Sequence, residues 1–374
     1  MAPTAWRYLD KDYYSAQAGR RFSTTAAAFR HYQRHGCAQG LDPHRYFATA
    51  WYQWQNPDWR DGFADPLSHF IFRGAERGAD PSYLVDMARF RRRTAGGDPV
   101  RQLFRRGGLL TEGVYSDLSV LPRLQSQFLR AIRPVPLRVT PPVHRRSFLI
   151  HLQAGASAAG KALCDAPERR YDVLMNYYQP GALDPSVGEY AIFQTGTKFT
   201  AAYLIHSRFP QIYRDYRYVL FLDDDIGATP EELNRLFILC ERYDLALGQA
   251  SLTAQSHCVW PHLFRRGESG VRYLNAVEIM MPVMSARALS LCAAHFADSI
   301  SGFGLDLLYG HLVESVEARS IAVLDDVALR HAKPIDEATG AYYEFLRANQ
   351  INPKAELWRL ISLYRLDRDI RMVG

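Results

Sequence analysis

The sequence predicts an α/β protein: a mostly parallel sheet flanked by helices, behind a small N-terminal all-α domain made of repeats. Three observations predict it. From residue 145 onward, short apolar runs alternate with stretches of helical spacing, the pattern of consecutive βα units. One of those runs, residues 219–222, has no polar alternation and leads straight into Asp223, Asp224 and Asp225, as a central strand buried on both faces would. The first hundred residues repeat themselves with a period of 38.

The repeat aligns Tyr13-Tyr14 with Trp51-Tyr52, His31-Tyr32 with His69-Phe70, Gly36 with Gly74, and Gly40-Leu41-Asp42-Pro43 with Gly78-Ala79-Asp80-Pro81. A third copy starts at residues 84–90. Each copy reads as two short helices, with Gly at a helix end and Asp-Pro opening the next segment. His31 and His69 recur beside aromatics with no second ligand at metal spacing, so they read as packing or hydrogen-bonding residues. This gives a repeat domain over 1–110, a connector over 111–144 in which 121–132 reads as one helix before Pro134, Pro136, Pro141 and Pro142 deny any further one, a main domain over 145–335 and helices over 336–374.

Within the main domain, residues 147–152, 171–178 and 190–193 read as strands and 198–209 as a helix. After the aspartate-tipped strand comes a helix opened by Thr229-Pro230-Glu231-Glu232, a capping hydroxyl with Pro at the first helical position and Glu three residues after the cap. A strand follows at 245–249, then an apolar strand over 275–284 carrying Glu278. Ser301-Gly302-Phe303-Gly304-Leu305-Asp306 is a two-glycine turn entering a helix, and residues 323–331 form a last strand ending on His331. The stretch 355–370 has the spacing of a packing helix.

Composition narrows the function. With 48% hydrophobic and 22% charged residues the chain is that of a soluble globular protein. No run is apolar enough to span a bilayer, no secretory signal core opens the chain, and five scattered cysteines form neither a zinc pattern nor a disulfide framework, so a cytoplasmic site is expected. The net charge of +6 comes almost wholly from arginine, and nothing in the chain has a nucleic-acid-binding signature.

The acidic triplet carries the chemistry. Ligands of open α/β sheets sit outside the carboxyl ends of the strands. Three adjacent carboxylates repel one another unless a cation joins them, and a divalent metal holding a nucleotide diphosphate fits. An aspartate after a strand can also be a helix cap, but Thr229 already supplies that cap. Glu278 is costly in an apolar strand unless used or paired, with Arg272 or Arg287 as the structural partners. Asp306 is either a helix-start residue or an acid placed by a glycine turn. His331 is a strand-end imidazole of the kind that completes a metal site.

These pieces resemble, in order, a plant and bacterial family known as domain of unknown function 707, similar to glycosyltransferases of the GT-A, Rossmann-like fold. The resemblance rests on Gln194-Thr195-Gly196-Thr197-Lys198-Phe199, on residues 216–226, on Val277-Glu278-Ile279-Met280-Met281-Pro282-Val283, on Gly302-Phe303-Gly304-Leu305-Asp306 and on His331. The front repeats resemble a short module found beside glycosyltransferase domains in bacterial polysaccharide-synthesis proteins, which implies an accessory role. The main resemblance implies Asp223, Asp225 and His331 at a Mn²⁺ or Mg²⁺ ion, and Asp223, Asp224, Lys198 and Gln194 around a nucleotide-diphosphate sugar. It implies Asp306 as the base, with Glu278 contacting sugar or acceptor. The expected activity is transfer of a hexosyl group, with inversion, to a glycan or lipid-linked acceptor hydroxyl in surface polysaccharide synthesis, at the inner face of the membrane or in the cytoplasm. Two other readings stay open. A sugar nucleotidyltransferase would use the same carboxylates, but residues 151–161 are only a faint version of its phosphate loop. A non-catalytic scaffold would use the repeats as its working surface.

Overall fold

The computed structural model of the protein describes residues 4–93, 97–105, 118–155, 159–267, 270–337 and 340–373. The chain divides into two compact units, Met1–Leu121 and Pro122–Gly374.

The first unit contains the helices Lys11–Gln17, Thr25–His31, Thr49–Gln55, Pro66–His69, Met87–Arg93 and Pro99–Arg105. Two of them continue as π-helical turns over Tyr32–Gly36 and Phe70–Gly74. Its contacts explain the residue types that recur. The Tyr14 hydroxyl meets His31 Nδ1 at 2.8 Å, and the Tyr52 hydroxyl meets His69 Nδ1 at 2.9 Å. Gly36 and Gly74 lie directly under those two hydroxyls, where a Cβ would collide with them. Gly40 and Gly78 take φ of +71° and +84°, a region that favours glycine. Asp42 and Asp80 each accept, at 2.7 Å, from the amide of the residue seven positions on, Thr49 and Met87.

The second unit is built on a ten-stranded sheet. Its strands are β1 Val135–Arg138, β2 Phe148–Ala154, β3 Tyr171–Tyr177, β4 Tyr190–Phe193, β5 Tyr218–Asp223, β6 Ile226–Gly227, β7 Leu247–Leu252, β8 Val271–Tyr273, β9 Val283–Ser285 and β10 Ile321–His331. The spatial order is β1-β4-β3-β2-β5-β9-β7-β10-β6, with β8 paired to β10. Strands β2, β3, β4, β5, β7 and β10 run parallel, and β9 is inserted antiparallel between β5 and β7. The order reverses between β2 and β5, so the carboxyl ends of these two strands flank a crevice of the kind open sheets use for ligands.

Helices cover both faces, so the central strands lack alternation. Phe148 of β2 stacks on Phe237 of the helix Pro230–Arg242, with ring centroids 4.7 Å apart. Phe148 stands opposite Tyr218 in the sheet, so Phe221, three residues on in β5, faces the other side. There it meets Phe199 of the helix Lys198–Arg208 at 5.3 Å and Phe296 at 5.4 Å, and both pack on Tyr309 of the helix Leu305–Glu314. No helix among the described residues is long and apolar enough to cross a membrane.

Two expected elements differ. Residues 275–282 are irregular, and only Val283–Ser285 joins the sheet. The reason lies in where the backbone groups go. Glu278 N donates to the Gln249 side chain, Met280 N to Glu278 Oε2, and the Pro282 and Met280 carbonyls accept from Phe221 N and Asp223 N. Side chains thus take two of the amides while two carbonyls still bond to β5, and Pro282 has no amide to give. Within the stretch expected as a connector, the helix read over 121–132 is present as Leu121–Ala131, but the proline segment after it contributes strand β1, and the second unit begins at Pro122. β1 is an edge strand, the position in which a sheet tolerates Pro136. Residues 111–117 of that stretch, and 156–158 of the faint phosphate loop, lie outside the described residues.

Candidate functional site

The acidic triplet sits where β5 ends. After Asp223 the chain turns through Asp224 and Asp225 into β6, which pairs antiparallel with the end of β10 so that Ile226 stands opposite His331. Ala332 N donates to the Asp225 carbonyl at 3.2 Å, which fixes the two strand ends together. His331 Nε2 thereby lies 3.6 Å from Asp225 Oδ2. Its Nδ1 donates to the His257 carbonyl at 2.6 Å, and its own amide donates to Ser256 Oγ at 3.1 Å. With Nδ1–H committed to a carbonyl, the lone pair of the neutral ring is on Nε2 and faces Asp225. The contact with Asp225 raises the His331 pKa against the opposing effect of burial. Burial would raise Asp225, but the His331 contact and the charges of His331, Lys333 and Lys198 bring it below the usual carboxylate value.

Asp223 and Asp224 are turned to other partners. Lys198, buried at the start of its helix, reaches Asp223 Oδ1 at 2.8 Å and donates to the carbonyls of Ile279 at 2.5 Å and Met280 at 3.1 Å. An ammonium has three donors, and all three are used. Asp224 Oδ2 accepts from Gly155 N at 2.8 Å and from the Tyr178 hydroxyl at 3.1 Å. A Cβ at residue 155 would strike both Tyr178 and Asp224, so glycine is what lets the end of β2 close on the triplet. Lys333, largely exposed, stands 4.0 Å from Asp224 Oδ1 and 3.7 Å from Asp225 Oδ2. Beside Asp223 in the sheet is Gln153, whose Oε1 accepts from Asn176 Nδ2 at 2.6 Å, a polar row across the rim of β3, β2 and β5.

Glu278 and Asp306 form a second acidic group. Burial pushes the Glu278 carboxyl up to about 7, and the charge of Asp306 adds to the effect. Burial pushes Asp306 up to about 6, against hydrogen bonds from the Leu307 amide and the Trp260 side chain. The structural partners expected for Glu278 are engaged elsewhere. Arg272 grips Asp325 through two bonds of 2.8 Å, and Arg287 pairs with Asp244 and Glu317. The turn before Asp306 is held from below. Glu356, fully buried, accepts from Ile300 N and Ser301 N at 2.8 Å and from Gln125 Nε2 at 2.9 Å. Gly302 and Gly304 then take φ of +79° and +85°.

The structure thus brings Asp223, Asp224, Asp225, Lys198 and His331 together. It links Glu278 and Asp306 electrostatically to each other, and Glu278 to Lys198 and Asp223. Gln194 is fully buried at the end of β4, where its Oε1 accepts from Gly196 N and its Nε2 has no partner among the described residues. Among the described residues no group of three or more His, Cys, Asp or Glu side chains is placed to hold a metal ion. Sequence reasoning passed over Gly155, Tyr178, Gln249, Trp260 and Lys333. Gln249, a lone polar residue in an apolar strand, was the one with a visible signal.

No family model matches the chain, and no curated protein matches it. Among solved structures, that of S. aureus TarS 1–349 in complex with UDP-GlcNAc is similar over 53% of this chain, with 12% identity and a TM-score of 0.35. The similarity covers 60% of the TarS chain, less than two thirds of its length. A likeness of this degree carries no argument about function.

Proposed function

We propose that the second unit is a glycosyltransferase of GT-A type, as the resemblance to domain of unknown function 707 implies. It would move a sugar from a nucleotide diphosphate to an acceptor hydroxyl on a glycan or a lipid-linked chain. The observation that carries this reading is the presence, at one sheet rim, of two acidic groups in different electrostatic states. Asp225 faces His331 and Lys333 and is held ionised, while Glu278 and Asp306 are recessed and hold their protons to higher pH.

Asp225 and His331 fit a divalent cation such as Mn²⁺ or Mg²⁺, because the Nδ1 bond to the His257 carbonyl leaves Nε2 as a ligand beside a carboxylate. Two protein ligands leave the other positions to phosphate oxygens and water. Bound there, the cation would stabilise the negative charge of the departing diphosphate. Asp223, fixed by Lys198, accepts hydrogen bonds from the nucleotide, and Lys198 acts through Asp223 because its donors are spent. Asp306 takes the proton of the acceptor hydroxyl as that oxygen bonds to the anomeric carbon and the bond to phosphate breaks, with inversion. Glu278 contacts the sugar. The repeats of the first unit serve as an accessory docking element, and membrane association is peripheral.

The experiment is a thermal-shift screen of nucleoside diphosphates with and without Mn²⁺. Asp225→Asn is expected to lose the Mn²⁺-dependent shift and turnover with the fold intact, while Asp306→Asn keeps the shift and loses transfer. If no nucleoside diphosphate stabilises the protein, the reading fails.

A further inference from the structure

Four aromatic rings lie beside Glu278 and Asp306 or are linked to their neighbours, and the proposed chemistry leaves them unused. The Trp260 side chain reaches the Asp306 carboxyl. Phe303 lies in the glycine turn that delivers Asp306, and its ring meets that of Tyr343 at 6.4 Å, 79° between planes. Tyr343 meets Tyr342 edge-on at 5.8 Å. Both tyrosines stand on the helix Ala341–Ala348, and the Tyr342 hydroxyl is tied to the Ser301 carbonyl at 2.6 Å. The helix therefore lies within electrostatic reach of these acids: Tyr342 feels the charge of Asp223, and Tyr343 that of Glu278.

These rings are held but not covered. Trp260, Phe303 and Tyr343 are half-buried, and Tyr342 remains 42% exposed although its hydroxyl is anchored. A rigid aromatic that keeps a face open binds at small entropic cost. Asp223, Glu278 and Asp306 stand there against one ammonium, that of Lys198, which Asp223 already pairs, so once Asp306 and Glu278 have ionised an anionic group meets net like charge. A neutral pyranose satisfies both conditions. Its C–H face lies on an aromatic ring, and its hydroxyl edge donates to carboxylates.

We propose that Trp260, Phe303, Tyr342 and Tyr343 form the acceptor subsite, and that the acceptor is a neutral saccharide whose pyranose ring stacks there with a hydroxyl presented to Asp306. This rests on the glycosyltransferase reading and sharpens it, since it selects a glycan over a lipid phosphate as the group attacked.

The test is saturation-transfer-difference NMR on the full chain with Mn²⁺ and each nucleoside diphosphate in turn. The probes are methyl pyranosides and short oligosaccharides of glucose, galactose, mannose and N-acetylglucosamine, with undecaprenyl phosphate in detergent as the anionic arm. At least one saccharide is expected to bind through its ring C–H protons. Trp260→Ala and Tyr343→Ala are expected to weaken it about tenfold or more, the loss of one aromatic anchor, and Tyr343→Phe to bind within about twofold of wild type. Should Trp260→Ala fail to fold, Tyr343→Ala, on an exposed helix, decides alone. Binding of no saccharide, saccharide binding indifferent to the aromatics, or binding of the lipid phosphate alone overturns the subsite. Affinity for each nucleoside diphosphate is read separately by calorimetry. Absence of binding by all of them sinks the transferase reading, while saccharide binding still decides the subsite.

Discussion

Glu278 and Asp306 hold their protons to about 7 and about 6, against ordinary values of 4.5 and 3.8. They interact, so they titrate as a pair. If Asp306 is the base, transfer rises with pH through about 6 to 7 and the acid limb of the profile reports the pair. Stability runs the other way. A carboxyl whose folded pKa is raised contributes stability that is fully present below its unfolded pKa and lost as pH climbs through the folded value. At pH 8 both groups are therefore a burden on the fold. Glu278→Gln, whose amide oxygen can still accept from Met280 N, is expected to melt higher than wild type at pH 8, by about 1–3 kcal/mol at 1.4 kcal/mol per pKa unit. At pH 4 the gain should vanish. A gain over wild type no larger at pH 8 than at pH 4 would mean that the acid is not strained in the native state. The settings of Asp306 and Lys198 were legible to different degrees. Asp306 follows two glycines that announce an unusual turn. The surroundings of Lys198 gave no such notice, because its acceptors are carbonyls 81 and 82 residues away.

At the scale of elements, short-range chemistry was legible and long-range substitution was not. The Thr229 cap and the helix Pro230–Arg242 follow from adjacent residues, and the structure shows both halves of the capping box. The loop 275–282 reads as a strand because its apolar residues are buried, yet the amides of residues 278 and 280 go to the Gln249 and Glu278 side chains, and the pairing of Glu278 N with a residue 29 positions away is not a local pattern. In the first unit, a period seen in letters has a physical cause visible only in three dimensions: a tyrosine hydroxyl seated on a glycine. Gly36→Ala should therefore cost about 1–3 kcal/mol, the usual penalty of overpacking. Tyr14→Phe removes the hydroxyl that the new methyl would strike, at the expense of the bond to His31. The two changes should couple, so that the double variant loses less than the sum of the singles in a denaturant-based cycle. Strict additivity would show that the close contact is not what requires glycine.

For the whole molecule, the division at Leu121 and Pro122 separates two cores: Tyr14, Tyr32, Trp51, Tyr52 and Phe70 in one, Tyr171, Phe199, Phe221, Phe237 and Tyr309 in the other. Parallel pairing of β2, β3, β4 and β5 was foreseeable from the alternation of strands with helical stretches and from the unbroken run 219–222 in β5, whereas the antiparallel insertion of β9 was not, since three residues carry too little pattern to show direction. Two cores suggest two cooperative transitions, and the proposed chemistry belongs wholly to the second. Calorimetry of the intact chain should therefore resolve two heat-absorption peaks. The peak that Gly36→Ala lowers reports the first unit. The peak that Arg272→Ala lowers, by leaving Asp325 buried without its partner, reports the second, with a loss of about 3–5 kcal/mol. A nucleoside diphosphate with Mn²⁺ at about 100 times its Kd stabilises only the unit that binds it, by about 2.7 kcal/mol, or about 5–10 °C for a domain of this size. The second peak should move and the first stay. Movement of the first peak alone would place the nucleotide in the repeats, and movement of both by equal amounts would mean that the units unfold as one body.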